Sequence, residues 1–328
     1  MIPDAFPWAR PATDTGSAYR DQPVIHNHAG EDPVILCADI GGSYIDFAEA
    51  DPSHHLAHRQ RLPTPTSDLE GFVSALNVMT AGYDPAIPLH MAIAGVCAPD
   101  TGRTRTANIP CVNDVPMREL LTRRLGRHVL VANDAHCFAL SEAMQGVGKG
   151  HEIVFGVILG TGVGGGLIIH GRPVIGRGGL GGEWGHGPFI AQATGADAIP
   201  CLPCQCGQHG CLDTIGGARG IERLHRHLGN EALHARDLLA NWQSGEAAAR
   251  RTVDVWLDRM SAGLAMVANV TGASIMPVGG GLAHQVELIG ALDRMVRGRI
   301  LRQQESALVV PASLPADSGL IGASWLRD

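Results

Sequence analysis

Apolar positions change their period several times along the chain, and each change marks an element. VILCADIGGSYIDFAEA, beginning at Val34, reads as an apolar strand running into Asp39 and a Gly-Gly turn, with a second strand leading away. In SDLEGFVSALNVMT the apolar residues Leu69, Phe72, Val73, Leu76 and Met79 recur at helical spacing, and Ser67 with Glu70 has the spacing of a capping box. A strand (HMAIAGV), a short helix closed by Gly126 (PMRELLTRRLG) and a strand (HVLVA) follow. Next come a helix from about Asp134 to Met144 and the strand EIVFGVILG. The second half contains ILGTGVGGGLIIHGRPVIG, a long helical pattern from about Glu246 to Val270, a strand ending in glycines (SIMPVGGG) and a helix-like tail (GLIGASWLRD). Strands and helices in alternation predict an α/β protein.

Strand, glycine bend, strand occurs once in each half, at Asp39–Ser43 and at Gly160–Gly166. That echo predicts two similar α/β domains facing each other across a cleft. The expected boundaries are 34–133 for the first domain, completed by a C-terminal helix over about 317–328, and 134–316 for the second. Residues 1–33 hold Pro3, Pro7, Pro11, Pro23 and Pro33 without a sustained apolar period, which predicts an irregular extension.

Composition narrows the function. The 328 residues carry a net charge of −7, which argues against broad nucleic-acid or anionic-membrane binding. No apolar run reaches membrane-span length and no secretory signal is visible, so a cytoplasmic location is expected. Lys149 is the only lysine and sits in VGKGHE, which does not fit a phosphate-binding G-x-x-x-x-G-K-[ST] loop. Phosphate, if bound, falls to backbone amides, a metal ion or arginine.

GTGVGG at 160–165 satisfies G-x-G-x-x-G, but a dinucleotide site needs a helix after the glycines. Here LIIHGRPVIG continues as a strand and a turn. Glycine bends can still hold phosphates, because bare amides approach anionic oxygens closely; they can also be simple tight turns. Three such clusters end apolar strands, at Gly41–Gly42, Gly160–Gly166 and Gly279–Gly281, and together they favour a shared nucleotide site.

Two further groups carry chemistry. Asn133-Asp134 precedes a helix, where either residue type caps well and where an aspartate can also serve as a general base. Cys201, Cys204, Cys206 and Cys211 are half of the eight cysteines. C-x-C-x4-C supplies three thiolates toward a tetrahedral zinc site; a disulfide or idle thiols are the alternatives. Cys37, Cys97, Cys111 and Cys137 read as core.

ADIGGS, VANDAHCFALSEA, ILGTGVGGGLI, GGEWGH, CQCGQHGC and VGGGL, in this order and spacing from Val34 to the C-terminus, resemble the ROK family of bacterial sugar kinases and related repressors. The resemblance implies a two-domain actin-like ATPase (ribonuclease H-like) fold with a cleft between the domains. It implies ATP and Mg2+, with Asp39, Gly41, Gly42 and Ser43 as one phosphate loop, Asp39 helping to hold the magnesium. Gly160, Thr161 and Gly162 would form a second loop, and Gly279, Gly280 and Gly281 would lie along the adenosine. Asp134 would be the base that takes the proton of a sugar's C6 hydroxyl. Asn108, Asn133, Glu183, His186 and Asp213 would contact the sugar. His186 would join Cys204, Cys206 and Cys211 on a structural zinc ion, leaving Cys201 spare unless it takes the place of Cys204.

Within the family, ANIP around Asn108 and the long spacer before Cys204 are similar to members that phosphorylate N-acetyl-D-glucosamine. Fructokinase, mannokinase and glucokinase activities are the alternatives, and a sugar-responsive repressor is a distant one. A homodimer is implied as well. Two positions depart from the family pattern. Asp213 stands where most of its kinases have glutamate, and MAIAGVCAPDTG replaces a glycine-proline turn.

Overall fold

The computed structural model describes residues 34–190, 199, 201–302, 304–314 and 317–328; the extension expected over 1–33 lies outside them. The first lobe begins with β1 (Ile35–Ile40), β2 (Tyr44–Ala50) and β3 (Leu56–Pro63), then α1 (Leu69–Met79) and β4 (Leu89–Ile93). A small hairpin, β5 (Val96–Cys97) with β6 (Thr104–Arg105), precedes α2 (Met117–Leu125) and β7 (Val129–Asn133). Its main sheet has the order β3-β2-β1-β4-β7, with β1 antiparallel to β2 and parallel to β4.

Helix α3 (Asp134–Met144) leads into the second lobe: β8 (Ile153–Leu159), β9 (Val163–Ile169) and β10 (Arg172–Pro173). Four helices follow the cysteine segment, α4 (Asp213–Gly216), α5 (Ala218–His227), α6 (Ala235–Ser244) and α7 (Ala247–Thr271). The lobe continues with β11 (Met276–Gly279), α8 (Val286–Arg297) and β12 (Val309–Pro311). Its sheet order, β10-β9-β8-β11-β12, repeats the first lobe strand for strand: an antiparallel meander, then parallel strands added beyond its first member. The echo of glycine bends is therefore a repeat of topology. Residues 163–169 form a strand that turns into β10, so the glycines open no helix.

Each lobe has its own apolar core. Phe47, Phe72, Leu76 and Leu121 fill the first, and Trp256, Met260, Leu264 and Ile289 lie in the second. A third cluster joins them: α9 (Ser318–Ser324) returns to the first lobe and packs beside α3, where Cys37, Cys137, Leu140, Leu320 and Ala323 pack together. Small residues permit this crossing, since a Cβ on Gly322 would meet the Cys137 carbonyl oxygen at 1.8 Å. The helix expected over about 317–328 is thus shorter, and its end is closed by the Trp325 N–H bonding back to Ala323 and Gly322.

Two smaller expectations change. The α1 cap is Asp68, not Ser67: Asp68 is extended (φ −128°) and its side chain accepts the Glu70 N–H at 3.0 Å. Starting the helix at Leu69 puts the cap one residue later than the capping box required. Cys37 and Cys137 are core as expected, whereas Cys97 and Cys111 are half-buried, at the β5–β6 hairpin and beside the Pro65 carbonyl.

Candidate active site

Four chain segments converge between the lobes. The first is the bend after β1. Asp39 ends the strand, and Gly41 closes the turn by donating its N–H to the Tyr44 carbonyl at 3.0 Å. The Thr64 hydroxyl donates to the Gly41 carbonyl at 2.7 Å. Ser43 is exposed at the tip. Asn108 comes from the loop after β6 and packs against this bend; a Cβ on Gly42 would lie 2.7 Å from the Asn108 Cβ.

The second segment is the start of α3. Asn133 caps it: Oδ1 accepts the N–H groups of Ala135 (2.8 Å) and His136 (3.1 Å), while Nδ2 donates to the Gly95 carbonyl at 2.9 Å. That amide, expected at the sugar, is engaged by backbone and fixes where the next residue stands. Asp134 is that residue. Its Oδ1 accepts the Ala135 N–H at 2.9 Å. Burial pushes its pKa up to about 6 from 3.8, and nearby Glu183 adds to the rise; local backbone N–H groups oppose it. Asp39 rises further, to about 7, again mainly through burial, with Asp134, Asp46 and Asp317 adding like charge. The named neighbouring charges are all acidic, and two of them already have partners, Asp46 with Arg61 and Asp317 with Arg59.

Asp39 and Asp134 line one cavity of about 580 Å³ with Gly279, Gly280, His284 and Gly319. Gly279 packs on Phe138, and Gly280 turns with φ 87° beside the end of β8. Gly281 starts a single 3-10 turn, and a Cβ there would meet nothing within 4 Å. Gly319 is a site residue the sequence did not announce. A Cβ on it would fall 2.1 Å from Asp39 Oδ2, so α9 bears directly on that carboxylate.

The third segment is the bend Gly160-Thr161-Gly162 between β8 and β9, where the Gly160 N–H donates to the Gly162 carbonyl at 3.0 Å. Glycines 165 and 166 continue into β9 because two backbones press on that strand. A Cβ on Gly166 would meet the Ala135 carbonyl oxygen at 2.7 Å, and one on Gly165 the Trp184 ring at the same distance. Close packing therefore brings the start of α3 and the E-W-G-H turn to opposite faces of one strand. The buried His136 reinforces this, donating from Nε2 to the Gly181 carbonyl at 2.5 Å.

The fourth segment holds the cysteines. Ligand atoms of His186, Cys204, Cys206 and Cys211 all lie within 4.8 Å of one another, and Cys201 is not in the group. Cys204 Sγ is 3.6 Å from His186 Nδ1, and Cys206 Sγ is 3.6 Å from Cys211 Sγ. A tetrahedral zinc ion at ordinary bond lengths gives S···N and S···S edges of about 3.6 and about 3.8 Å, so the four residues fit it. The other imidazole nitrogen, Nε2, is 3.5 Å from Glu183 Oε2. His186 thus has one nitrogen on the thiol side and one beside Glu183. Asp213, expected at the sugar, accepts the Val163 N–H through Oδ1 at 2.8 Å, and its Oδ2 lies 3.8 Å from Cys204 Sγ.

Comparison with known proteins agrees with this architecture. The sequence profile of the ROK family matches residues 35–328. The chain belongs to the ROK family. An N-acetyl-D-glucosamine kinase of Pectobacterium atrosepticum is 34% identical over 296 residues, covering 88% of this chain and 97% of that protein. A ROK hexokinase from Thermus thermophilus superposes with a TM-score of 0.74 at 28% identity, covering 89% of this chain and 97% of that one. A ROK glucokinase from Streptomyces griseus, solved with glucose and AMPPNP, superposes with a TM-score of 0.69 at 25% identity over 89% and 98%. The fold is the two-lobed actin-like ATPase fold of these ROK sugar kinases. Among the described residues, no helix is long and apolar enough to cross a membrane.

Proposed function

We propose that the protein is an ATP-dependent kinase that phosphorylates the C6 hydroxyl of N-acetyl-D-glucosamine. The observation that carries this reading is the shared cavity: Asp134 at the head of α3 and Asp39 at the end of β1 line it together with the glycines after β11. The similarity to N-acetyl-D-glucosamine kinases over 88% of the chain supports the choice of sugar.

Asp134 accepts the proton of the C6 hydroxyl as that oxygen bonds to the γ-phosphorus and the bond to the bridging oxygen breaks, releasing ADP. A carboxylate lifted to about 6 remains mostly ionised at neutral pH yet is a stronger base than an exposed aspartate. Asn133 holds the helix head that aims it. Glu183 and Nε2 of His186 present a polar edge to the sugar, and Asn108 contributes from the opposite lobe. The bends at Gly41–Ser43 and Gly160–Gly162 offer backbone N–H groups to the phosphates, and Gly279–Gly281 borders the adenosine. Asp39 would hold Mg2+, which neutralises phosphate charge as transfer proceeds. Cys204, Cys206, Cys211 and Nδ1 of His186 would hold a structural zinc ion, which fixes the imidazole that faces the sugar.

The same reading takes residues 34–133 with the C-terminal helix as one domain and 134–316 as the other. It places the protein in the cytoplasm, where thiols stay reduced, as a homodimer. ADP release measured with N-acetylglucosamine, N-acetylmannosamine, glucose, mannose and fructose tests the substrate. N-acetylglucosamine is expected to give the highest kcat/KM. A preference of about tenfold or more for another sugar, equal to about 1.4 kcal/mol in the transition state, overturns the assignment and favours a glucokinase, mannokinase or fructokinase.

A further inference from the structure

Three parts of the site meet on Asp213. Its backbone N–H donates to the Gly185 carbonyl at 3.0 Å, inside the turn that carries Glu183 and His186. Its Oδ1 accepts the Val163 N–H at 2.8 Å, at the end of the bend Gly160–Gly162. Its Oδ2 lies 3.8 Å from Cys204 Sγ. The seat is tight, because a Cβ on Gly162 would come within 2.5 Å of Oδ1. Just beyond Asp213, the Ala218 N–H donates to the Gly160 carbonyl at 2.8 Å. One short segment, anchored at Cys211, therefore grips the bend at both ends.

We infer that Asp213 is a positioning residue that couples the 160–163 bend to the thiol–imidazole cluster and the sugar-side turn. Nucleotide phosphates then bind more tightly when the cluster holds metal and the sugar is present. A glycine bend has many conformations, and its amides attract an anion only when they are held convergent. A carboxylate on the Val163 N–H supplies a charge-assisted restraint at the bend's exit. The side chain sits too close to the cluster for the two to move independently. By reciprocity, whatever orders this junction on the sugar side strengthens binding on the nucleotide side by the same factor. The inference rests on the kinase reading above and gives Asp213 a role other than direct sugar contact.

Calorimetric titration of the full-length, metal-loaded protein with AMPPNP and Mg2+, with and without N-acetylglucosamine, tests it in wild type, Asp213→Ala and Asp213→Asn. In Asp213→Ala the analogue should bind about tenfold more weakly, or about 1.4 kcal/mol, and the strengthening by sugar should largely vanish. Asp213→Asn keeps an acceptor for the Val163 N–H and should stay within about threefold of wild type. Bound metal per chain should be unchanged in both. Unaltered analogue binding with lost sugar binding would make Asp213 a sugar ligand and overturn the coupling. Equal losses in both variants, or loss of metal, would also overturn it. Should Asp213→Ala not fold, hydrogen exchange on wild type decides: the Val163 amide must exchange faster once a chelator strips the cluster, and unchanged exchange overturns the proposal. Wild type that binds no analogue at all refutes the kinase reading itself, before any variant is compared.

Discussion

The bends after β1 and after β8 occupy equivalent places in sheets of identical order, yet they are built for different work. The first carries its own charge. Asp39 is recessed among Asp46, Asp134 and Asp317, and burial with those neighbours lifts it to about 7. The second has no ionisable side chain in Gly160-Thr161-Gly162, and its shape is held from outside by Asp213 and Ala218. Topology was repeated while the chemistry was divided: one bend follows a recessed carboxylate, and the other is uncharged and braced by the cysteine segment. The lobes therefore respond differently to perturbation, and that difference can be measured.

The largest effect is expected at Asp134, which shares its cavity with Asp39. Asp134→Asn removes the proton acceptor but keeps a side chain that can accept the Ala135 N–H, so folding and sugar binding should survive. Steady-state kinetics should show kcat reduced by about 10²- to 10⁴-fold, the usual contribution of a positioned base. Near-normal kcat would make Asp134 a helix-capping residue and nothing more.

Gly319→Ala attacks the first bend alone. The new methyl would overlap Asp39 Oδ2, so either the carboxylate or α9 must move. A shift of about 1 Å at a reacting group costs on the order of 10²-fold in kcat/KM. Overpacking of this kind lowers stability by about 1–3 kcal/mol, readable in a urea melt. Zinc content should not change. Full activity would mean that Asp39 is not held by α9 and that the first bend is as adaptable as the second.

Chelation, or Cys211→Ser, attacks the second bend and the His186 turn tied to it, and leaves the first bend alone. Cys211 is fully buried, and its sulfur accepts the Gly187 N–H at 3.3 Å. Cys211 would be a direct ligand, so its loss should cost at least the roughly 10- to 100-fold in activity or metal affinity that losing a residue which only orients a ligand costs. The loss should appear in the KM values of sugar and ATP together, with metal analysis falling from one ion per chain toward none. A Cys211→Ser protein with unchanged KM values would separate the cluster from the site.

Much of this division was readable along the chain because it is local. Strand period, glycine bends, the Asn133-Asp134 pair and the C-x-C-x4-C spacing each depend on neighbours a few residues away. Most observed elements fall within a residue or two of those patterns, while the strand expected through Val96 stops at Ile93 and the last helix at Ser324. What was not readable depends on contacts across the chain. Nothing in SGLIGAS says that Gly319 will touch Asp39, some 280 residues earlier in sequence order. Asp213 looked like a shortened sugar ligand, and only the approach of β9 shows its carboxylate on Val163. Ser67 and Asp68 are both good caps, and the extended backbone at Asp68 decided between them.

A smaller effect follows from pH. A base works only when deprotonated, and so does a carboxylate that holds a cation. Thus kcat/KM should fall as pH drops first through about 7, where Asp39 protonates, and more steeply below about 6, where Asp134 does. An exposed aspartate would place that limb near 4. Because burial is the main cause of the shift, the limb should survive moderate salt, which screens exposed charges more than buried ones. A limb at 4 would show that Asp134 titrates as an exposed aspartate in the free enzyme and that burial does not lift it.

The smallest expected effect is a control on the comparison. Asp68 caps α1, whose Phe72, Val73, Leu76 and Met79 belong to the first lobe's own core. Asp68→Ala removes a side-chain acceptor for the Glu70 N–H and should lower unfolding free energy by about 1 kcal/mol. The cap at Asn133 is different, since its amide also reaches Gly95 and sets the position of Asp134. Loss of the Asp68 cap should therefore leave kcat and both KM values within about twofold, because distant, independent sites contribute separately. If activity instead falls in step with stability, the outer layer of the first lobe is coupled to the cleft. The losses predicted for Gly319→Ala would then report general loosening of that lobe, not displacement of one carboxylate.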